Sequence, residues 1–268
     1  MAIITISRGS YSRGKEVAEK VAEKLGYDCI GREALLEASI EYDVPEVRIG
    51  RGAYDAPSVL DRFTGGKERY IAYIQAAVTS HVRKDNVVYH GLAGQFLLPG
   101  VAHVLKVRII APLEYRVKVV TERDNVSEQK AISILRRGDE ERLRWTKKLF
   151  LIDQRDSSLY DLVLNIDKCT VEDAANTICY VAGFKGFQAT PESQKAMDDL
   201  YLACEVRARL IDMKPDVEVT ADGGIVVVKT VAHGAQAANI TRDIKRIAEN
   251  VPGVSEVRVQ MIGLASLD

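Results

Sequence analysis

The chain has 268 residues, of which 47% are hydrophobic, with 37 Lys and Arg against 38 Asp and Glu, a formal net charge of −1. That balance excludes a protein built to coat nucleic acid, whose affinity rests on a broad cationic face. No apolar run approaches the ~20 residues that span a bilayer. The four dispersed cysteines, Cys29, Cys169, Cys179 and Cys204, lack C-x-x-C spacing and read as thiols in a reducing compartment. With no leader-like segment at the start, the expectation is a cytoplasmic protein.

Strand and helix patterns alternate up to about residue 185. Ile3-Ile4-Thr5-Ile6 is an apolar strand, and Val17, Val21, Ala22 and Leu25 repeat at the spacing of one helix face. Tyr27 to Ile30 reads as a short strand, followed by an apparent helix through Ala38. Pro45, Gly50, Gly52, Pro57, Gly65 and Gly66 break any period and predict a mobile connector or lid over residues 41–66. A helix from about Lys67 to Lys84 puts Ile71, Ile74, Ala77, Val78 and His81 on one side. Asn86 to Tyr89 and Ala102 to Ile110 are further core strands. Pro112 to Asn125, Ser127 to Gly138 and Asp139 to Phe150 read as three helices, and Asp161 to Asn165 as a last strand. Thr170, ahead of Glu172 and Asp173, signals a final helix start. This alternation predicts an α/β fold, a parallel sheet flanked by helices with ligands at the carboxyl ends of its strands.

Residues 184–193 interrupt the pattern and predict a boundary between a domain at 1–185 and a smaller α+β domain at 194–268. The second part reads as helix, strand, Asp222-Gly223-Gly224 turn, strand, helix and strand, the turn between two β-branched runs being a hairpin signal.

Gly9 to Lys15 satisfies G-x-x-x-x-G-K between a strand and a helix, the context of a P-loop. Successive backbone N–H groups and the positive end of a helix converge there on one point, so the expected ligand is a phosphate. Gly9, Ser10, Ser12, Arg13, Gly14, Lys15 and Glu16 are the candidate residues for it. Glu16 stands where a P-loop carries a Ser or Thr for Mg²⁺; a carboxylate there repels phosphate unless it points away or holds the metal.

Ile4-Thr5-Ile6-Ser7-Arg8, the small-residue loop, Gly14-Lys15-Glu16-Val17-Ala18, Leu25-Gly26 and Arg32-Glu33 together resemble the opening of cytidylate kinase-like proteins, a branch of the P-loop nucleoside monophosphate kinases. The strand Val87 to Gly91, the strand Val104 to Ala111, the arginine-rich Arg136 to Arg144 and the strand Tyr160 to Asn165 follow in the family's order, over roughly residues 1–182. The resemblance implies ATP and Mg²⁺ as cofactors and a nucleotide ligand, with the γ-phosphoryl group passing to CMP or a related pyrimidine monophosphate. It implies Lys15, Arg137 and Arg142 as catalytic cations, and Arg32, His90, Gly91, Arg136 and Arg144 as acceptor-binding residues. An ungapped match sets the family's loop lysine on Gly14, one residue before Lys15. The family's Asp-Gly-Arg-Asp turn corresponds to His90-Gly91-Leu92-Ala93, which keeps the glycine and loses the arginine and the second carboxylate. Asp28 and Asp85 are the candidates for a replacement metal partner, and the metal ligands stay undetermined.

The C-terminal part is similar to a BON domain through Asp222-Gly223-Gly224-Ile225-Val226-Val227 and Val251-Pro252-Gly253-Val254-Ser255-Glu256-Val257. Its ligand or protein partner is unknown, and no nucleic acid is expected. Alternatives stand beside these readings. Arg136 to Arg144, interleaved with Asp139, Glu140 and Glu141, also fits a solvated helix face, Arg32 a surface ion pair, His90 a structural histidine and Trp145 core packing. Two function classes follow: a pyrimidine monophosphate kinase, or a catalytically weak nucleotide-binding regulator that signals through the C-terminal domain.

Overall fold

The computed structural model describes residues 2–31, 66–91, 93–231 and 236–262. The helix expected after Arg32 and the connector over 41–66 lie outside these. Five parallel strands form the main sheet: β1 (Ile3–Arg8), β2 (Asp28–Ile30), β3 (Val87–Tyr89), β4 (Val104–Ile110) and β5 (Leu162–Asn165), in the order β2-β3-β1-β4-β5. β1 is central because it is apolar on both sides: Ile3, Ile4 and Ile6 are all buried.

One face of the sheet, through Ile4, Ile6, Leu105, Val107 and Ile109, packs on α1 (Gly14–Leu25) and on α6 (Val171–Ala182). α1 buries Val17, Ala18, Val21 and Ala22, ends at Gly26 with φ 67°, and is tied to α6 by Lys20 and Lys24, 3.1 and 2.5 Å from Glu172. α6 starts on a reciprocal cap between Thr170 and Asp173. The other face, through Ile3, Tyr89 and Val104, is covered by α2 (Gly66–Val82), the single turn α3 (Gly94–Leu97) and α5 (Glu128–Phe150). α4 (Leu113–Asp124) packs beside α5 through Val117, Val120, Ala131 and Leu135.

Where the sequence suggested two helices meeting at Gly138, α5 runs unbroken for 23 residues. The glycine is there for contact, not for a turn: a Cβ on Gly138 would lie 2.9 Å from Ser10 Oγ. Ser127 caps the start, its Oγ accepting from Lys130 N–H, and the buried positions Ala131, Leu135, Gly138, Arg142, Trp145 and Leu149 follow the helical period. Trp145 stands edge-on to Tyr70 at 5.9 Å between ring centroids, so its place is in the core.

The C-terminal residues form a second, three-stranded sheet. α7 (Pro191–Leu210) opens on a Thr190 cap; β6 (Glu218–Asp222) and β7 (Ile225–Thr230) make an antiparallel hairpin, and α8 (Gln236–Ala248) leads to β8 (Glu256–Met261), parallel to β7. The hairpin turn is Gly223-Gly224, both at positive φ (57° and 90°), the backbone a two-residue hairpin needs. Helix α2 belongs to both halves. Tyr70, Ile74 and Val78 face the main sheet, while Ala72, Tyr73 and Ala76 join the core of Val206, Val226, Val228 and Ile244. Asp212 accepts from Tyr73 Oη at 2.7 Å and stands 2.6 Å from Arg69 Nε.

At this seam burial pushes the Cys204 thiol up to about 12, and burial followed by the bond to Asp212 pushes Tyr73 up to about 12. A raised acid favours the folded state while it is protonated. That contribution is complete below the unfolded thiol value of about 9 and is lost as pH rises from there towards 12. We expect Ellman's reagent at pH 8 to label exposed Cys29 in the native protein and Cys204 only after unfolding, and urea titrations to give falling stability above pH 9. Rapid native labelling of Cys204 would refute this packing.

Candidate active site

The loop that leaves β1 is held from both sides of the sheet. Gly9 N–H donates to the Ile109 carbonyl at 3.0 Å, and Ser12 Oγ lies 3.0 and 3.1 Å from the carbonyls of Gly9 and Ile109. Tyr11 and Arg13 take left-handed φ values of 59° and 58°, and α1 starts at Gly14. Ser10 and Ser12 are each 1% exposed. Gly14 is required by Arg8, since a Cβ there would lie 2.7 Å from Arg8 Cβ and 3.2 Å from its Cδ. Strand, turn and the amino end of a 12-residue helix thus converge as expected.

Glu16 is held by Arg13 in an exposed ion pair. Arg13 Nε lies 2.9 and 3.0 Å from the two Glu16 carboxylate oxygens, Nη2 also binds Glu16, and Nη1 donates to Tyr115 Oη at 3.3 Å. The bonds to Glu16 and then Tyr115 raise the Arg13 guanidinium above its usual value. Lys15 sits on the exposed side of α1, 3.5 Å from Glu19.

Of the four arginines singled out on α5, the helical period turns Arg142 alone inward, because it falls one turn after Gly138. Arg142 Nε donates to Ser10 Oγ at 3.2 Å, and its side chain is buried. Arg136 is exposed; Arg137 pairs with Glu141 at 2.9 Å, and Arg144 stands 4.0 Å from Glu140. His90 and Gly91 lie at the end of β3, His90 N–H donating to the Ile30 carbonyl at 2.8 Å. A Cβ on Gly91 would fall 2.0 Å from Tyr89 Oη, so this glycine is fixed by the buried tyrosine ring. Arg32 and Leu92 lie outside the described residues. Asp28 and Asp85 are at the amino ends of β2 and β3, away from the loop, and Asp85 holds buried His103 at 2.9 Å.

The structure brings in residues that the sequence did not single out. Asp139 Oδ1 accepts the Ser10 N–H at 3.3 Å, and its Oδ2 accepts from Arg116 Nη1 at 2.7 Å; Arg116 also reaches the Ser10 carbonyl at 3.3 Å. Beside this knot lies a cavity of about 270 Å³ lined by Gly9, Arg108, Arg116, Arg142, Gln154 and Arg155, with Asp139 and Glu140 at its wall. Arg108 projects from β4 and is 8% exposed. Its Nη1 donates to Tyr160 Oη at 3.2 Å; the same phenol accepts from Gln95 Nε2 at 3.1 Å, donates to the Gln154 carbonyl at 2.8 Å and lies 3.3 Å from Ser7 Oγ. The one sequence signal for these residues was charge inside strand or helix patterns, with nothing to say which way each pointed. Among the described residues no group of three or more His, Cys, Asp or Glu could by itself hold a metal ion, so a cation here would depend on phosphate oxygens for most of its ligands.

A central-strand loop at a helix N-terminus, met by Arg116 of α4 and Arg142 of α5, is the arrangement of a P-loop kinase fold. Residues 3–168 match the cytidylate kinase-like family, and the chain belongs to that family. A cytidylate kinase of Staphylothermus marinus is 36% identical over 101 residues, 35% of this chain and 53% of that protein. One of Ignicoccus hospitalis is 27% identical over 180 residues, 66% of this chain and 97% of its own length. The chain thus spans about half the length of the first of these and nearly all of the second. A crystal structure of an uncharacterized protein from Eubacterium ventriosum superposes with a TM-score of 0.52 at 19% identity, covering 68% of this chain and 98% of that one, a likeness of fold.

The contact between Gly138 and Ser10 is open to a double-mutant cycle. Gly138→Ala gains helix propensity of about 1 kcal/mol, and in the wild-type background the clash with Ser10 offsets that gain. In a Ser10→Gly background the same change is expected to stabilise by about 0.5–1 kcal/mol in urea titrations. Gly91→Ala, facing a buried ring, is expected to cost about 1–3 kcal/mol; a neutral result would mean that Tyr89 moves freely.

Proposed function

We propose that the protein transfers the γ-phosphoryl group of ATP to a nucleoside monophosphate, CMP or another pyrimidine monophosphate. The observation that carries this reading is the arginine-lined cavity that reaches Gly9, the first residue of the loop at the carboxyl end of β1. Membership of the cytidylate kinase-like family supports the choice of acceptor.

The donor phosphates would lie against the loop N–H groups and the amino end of α1, where the Arg13–Glu16 pairing removes the carboxylate that would repel them. Mg²⁺ would neutralise the charge that develops on the donor phosphates, and Asp139 and Glu140 are the cavity carboxylates that would hold it or its waters. An oxygen of the acceptor phosphate attacks the γ-phosphorus in line, and the bond to the β–γ bridging oxygen breaks with its electron pair left on ADP. Arg116 and Arg142 balance the charge spread over the transferred group, and α5, packed on the loop, excludes water. Lys15 and Arg137 complete the reading as mobile cations. Each exchanges an exposed ion pair with Glu19 or Glu141, worth about 0–1 kcal/mol, for a phosphate oxygen. Arg32, Arg136, Arg144 and the His90-Gly91 turn belong to the acceptor side in the same reading.

Residues 194–268 are proposed as a BON-like module on the pattern of the Gly223-Gly224 hairpin and the Val251-Pro252-Gly253-Val254 turn. A second reading, a nucleotide-binding regulator with weak or no turnover, is favoured by one contact: the Ser10 N–H is already taken by the protein's own Asp139 carboxylate.

Phosphorus NMR with Mg-ATP and each of CMP, dCMP, UMP and AMP tests both readings. New nucleoside diphosphate resonances are expected with a pyrimidine monophosphate. Arg142→Ala should lower kcat about 10²–10³-fold, the usual cost of one electrostatic donor. Lys15→Ala should weaken ATP binding, and unchanged affinity would leave the phosphates to backbone N–H groups and arginines. Broadened ATP lines without turnover would select the regulator, and unperturbed ATP would refute both readings.

A further inference from the structure

Arg108 is a buried cavity arginine with no carboxylate partner among the described residues. Arg116 is paired with Asp139 at 2.7 Å and Arg155 with Asp153 at 2.6 Å, while Arg142 donates to the Ser10 hydroxyl. Among the described residues no carboxylate stands within ion-pair distance of Arg108; its hydrogen bond is to the neutral Tyr160, over whose ring the guanidinium lies at 5.5 Å. A buried guanidinium is expensive unless an opposite charge meets it. Here it is kept, oriented by a phenol that three other groups hold in place, and it lines the cavity beneath Gly9.

Its position separates it from the donor side. Arg108 is in register with Ser7 on β1, whose neighbours Ile4 and Ile6 point to α1. Arg108 therefore projects on the opposite face, towards α5, while the loop N–H groups open at the start of α1. The turn after β3, His90-Gly91-Leu92-Ala93-Gly94, supplies no arginine to this face.

We propose that Arg108 is an acceptor-binding residue: its guanidinium receives the dianionic phosphate of the phosphomonoester acceptor, presented from the centre of the sheet. The identity of that acceptor as a nucleotide rests on the kinase reading above; the anion subsite does not. A planar fork suits a phosphate as a lysine's point charge does not, so the subsite discriminates phosphomonoesters from their uncharged parents.

Four proteins test this: wild type, Arg108→Met, Arg108→Lys and Tyr160→Phe, titrated calorimetrically with CMP, cytidine and ATP, and heated with and without inorganic phosphate. Arg108→Met is expected to weaken CMP at least tenfold and ATP less than twofold, with Arg108→Lys between it and wild type. Tyr160→Phe removes the phenol that orients the guanidinium and keeps the charge, so it is expected to weaken CMP less than Arg108→Met does, again with ATP changed less than twofold. Unchanged CMP affinity in Arg108→Met, equal losses for CMP and ATP, or equal losses in Arg108→Met and Tyr160→Phe would each overturn the proposal. If the wild type binds no nucleotide, the kinase reading fails and phosphate decides the subsite. Thermal stabilisation by phosphate that is lost in Arg108→Met upholds it, and stabilisation of both or of neither overturns it.

Discussion

Everything in this protein hangs on the burial of β1 from both faces. Ile4 and Ile6 drive into α1 and α6, and Ile3 drives into α2, α3 and α5, so the strand is fixed at the centre of the sheet. A central parallel strand has to end in a turn, and its next residues emerge between two layers of helices. The loop from Gly9 to Arg13 is therefore met by α1 behind it and by α5 in front. That enclosure, more than any single side chain, brings Gly9 and the guanidinium groups of Arg108, Arg116 and Arg142 to one cavity at the carboxyl end of β1.

Charge is arranged in that volume with some economy. The one carboxylate near the phosphate loop on α1, Glu16, is neutralised by its neighbour Arg13 on the outer side. Inside, Asp139 binds a loop N–H and Arg116 together, so one carboxylate holds both donors. Three contacts at Ser10, to Asp139, Arg116 and Arg142, tie the loop to α4 and α5, with Gly138 setting the distance of approach.

The smaller sheet is bound into the same framework by α2. One side of that helix packs on β1 and β3, the other on α7 and β7, and Asp212 ties its Tyr73 and Arg69 to the end of α7. Met197 of α7 lies fully buried in the core under the main sheet, and Arg83 at the end of α2 pairs with Asp198 at 2.6 Å while lying over the Tyr201 ring. α2 thus supplies residues to both cores.

Much of the fold was legible in the residue order because it depends on local periodicity. Apolar runs of strand length, the Val17-Val21-Ala22 helix face, the Thr170 cap and the Gly223-Gly224 turn are each decided by neighbours within a few positions. The phosphate loop was legible for the same reason, and so was membership in a kinase-like order of segments. The misplaced break at Gly138 marks the limit: a glycine reads as a helix end until the partner that needs its missing Cβ, Ser10 some 128 positions earlier, is in view. The functional side chains follow that rule. Which of the α5 arginines turns inward, that Glu16 is masked by Arg13, and that Arg108 and Asp139 share a cavity with Gly9 depend on strand register and helix packing between distant segments. The sequence by itself determined the elements, their order and the anion-binding loop, since short-range sterics and periodic burial settle those. Only the tertiary structure decided which charges meet, because a charge's partner is set by distance in space, and that distance exists only once the layers have closed around β1.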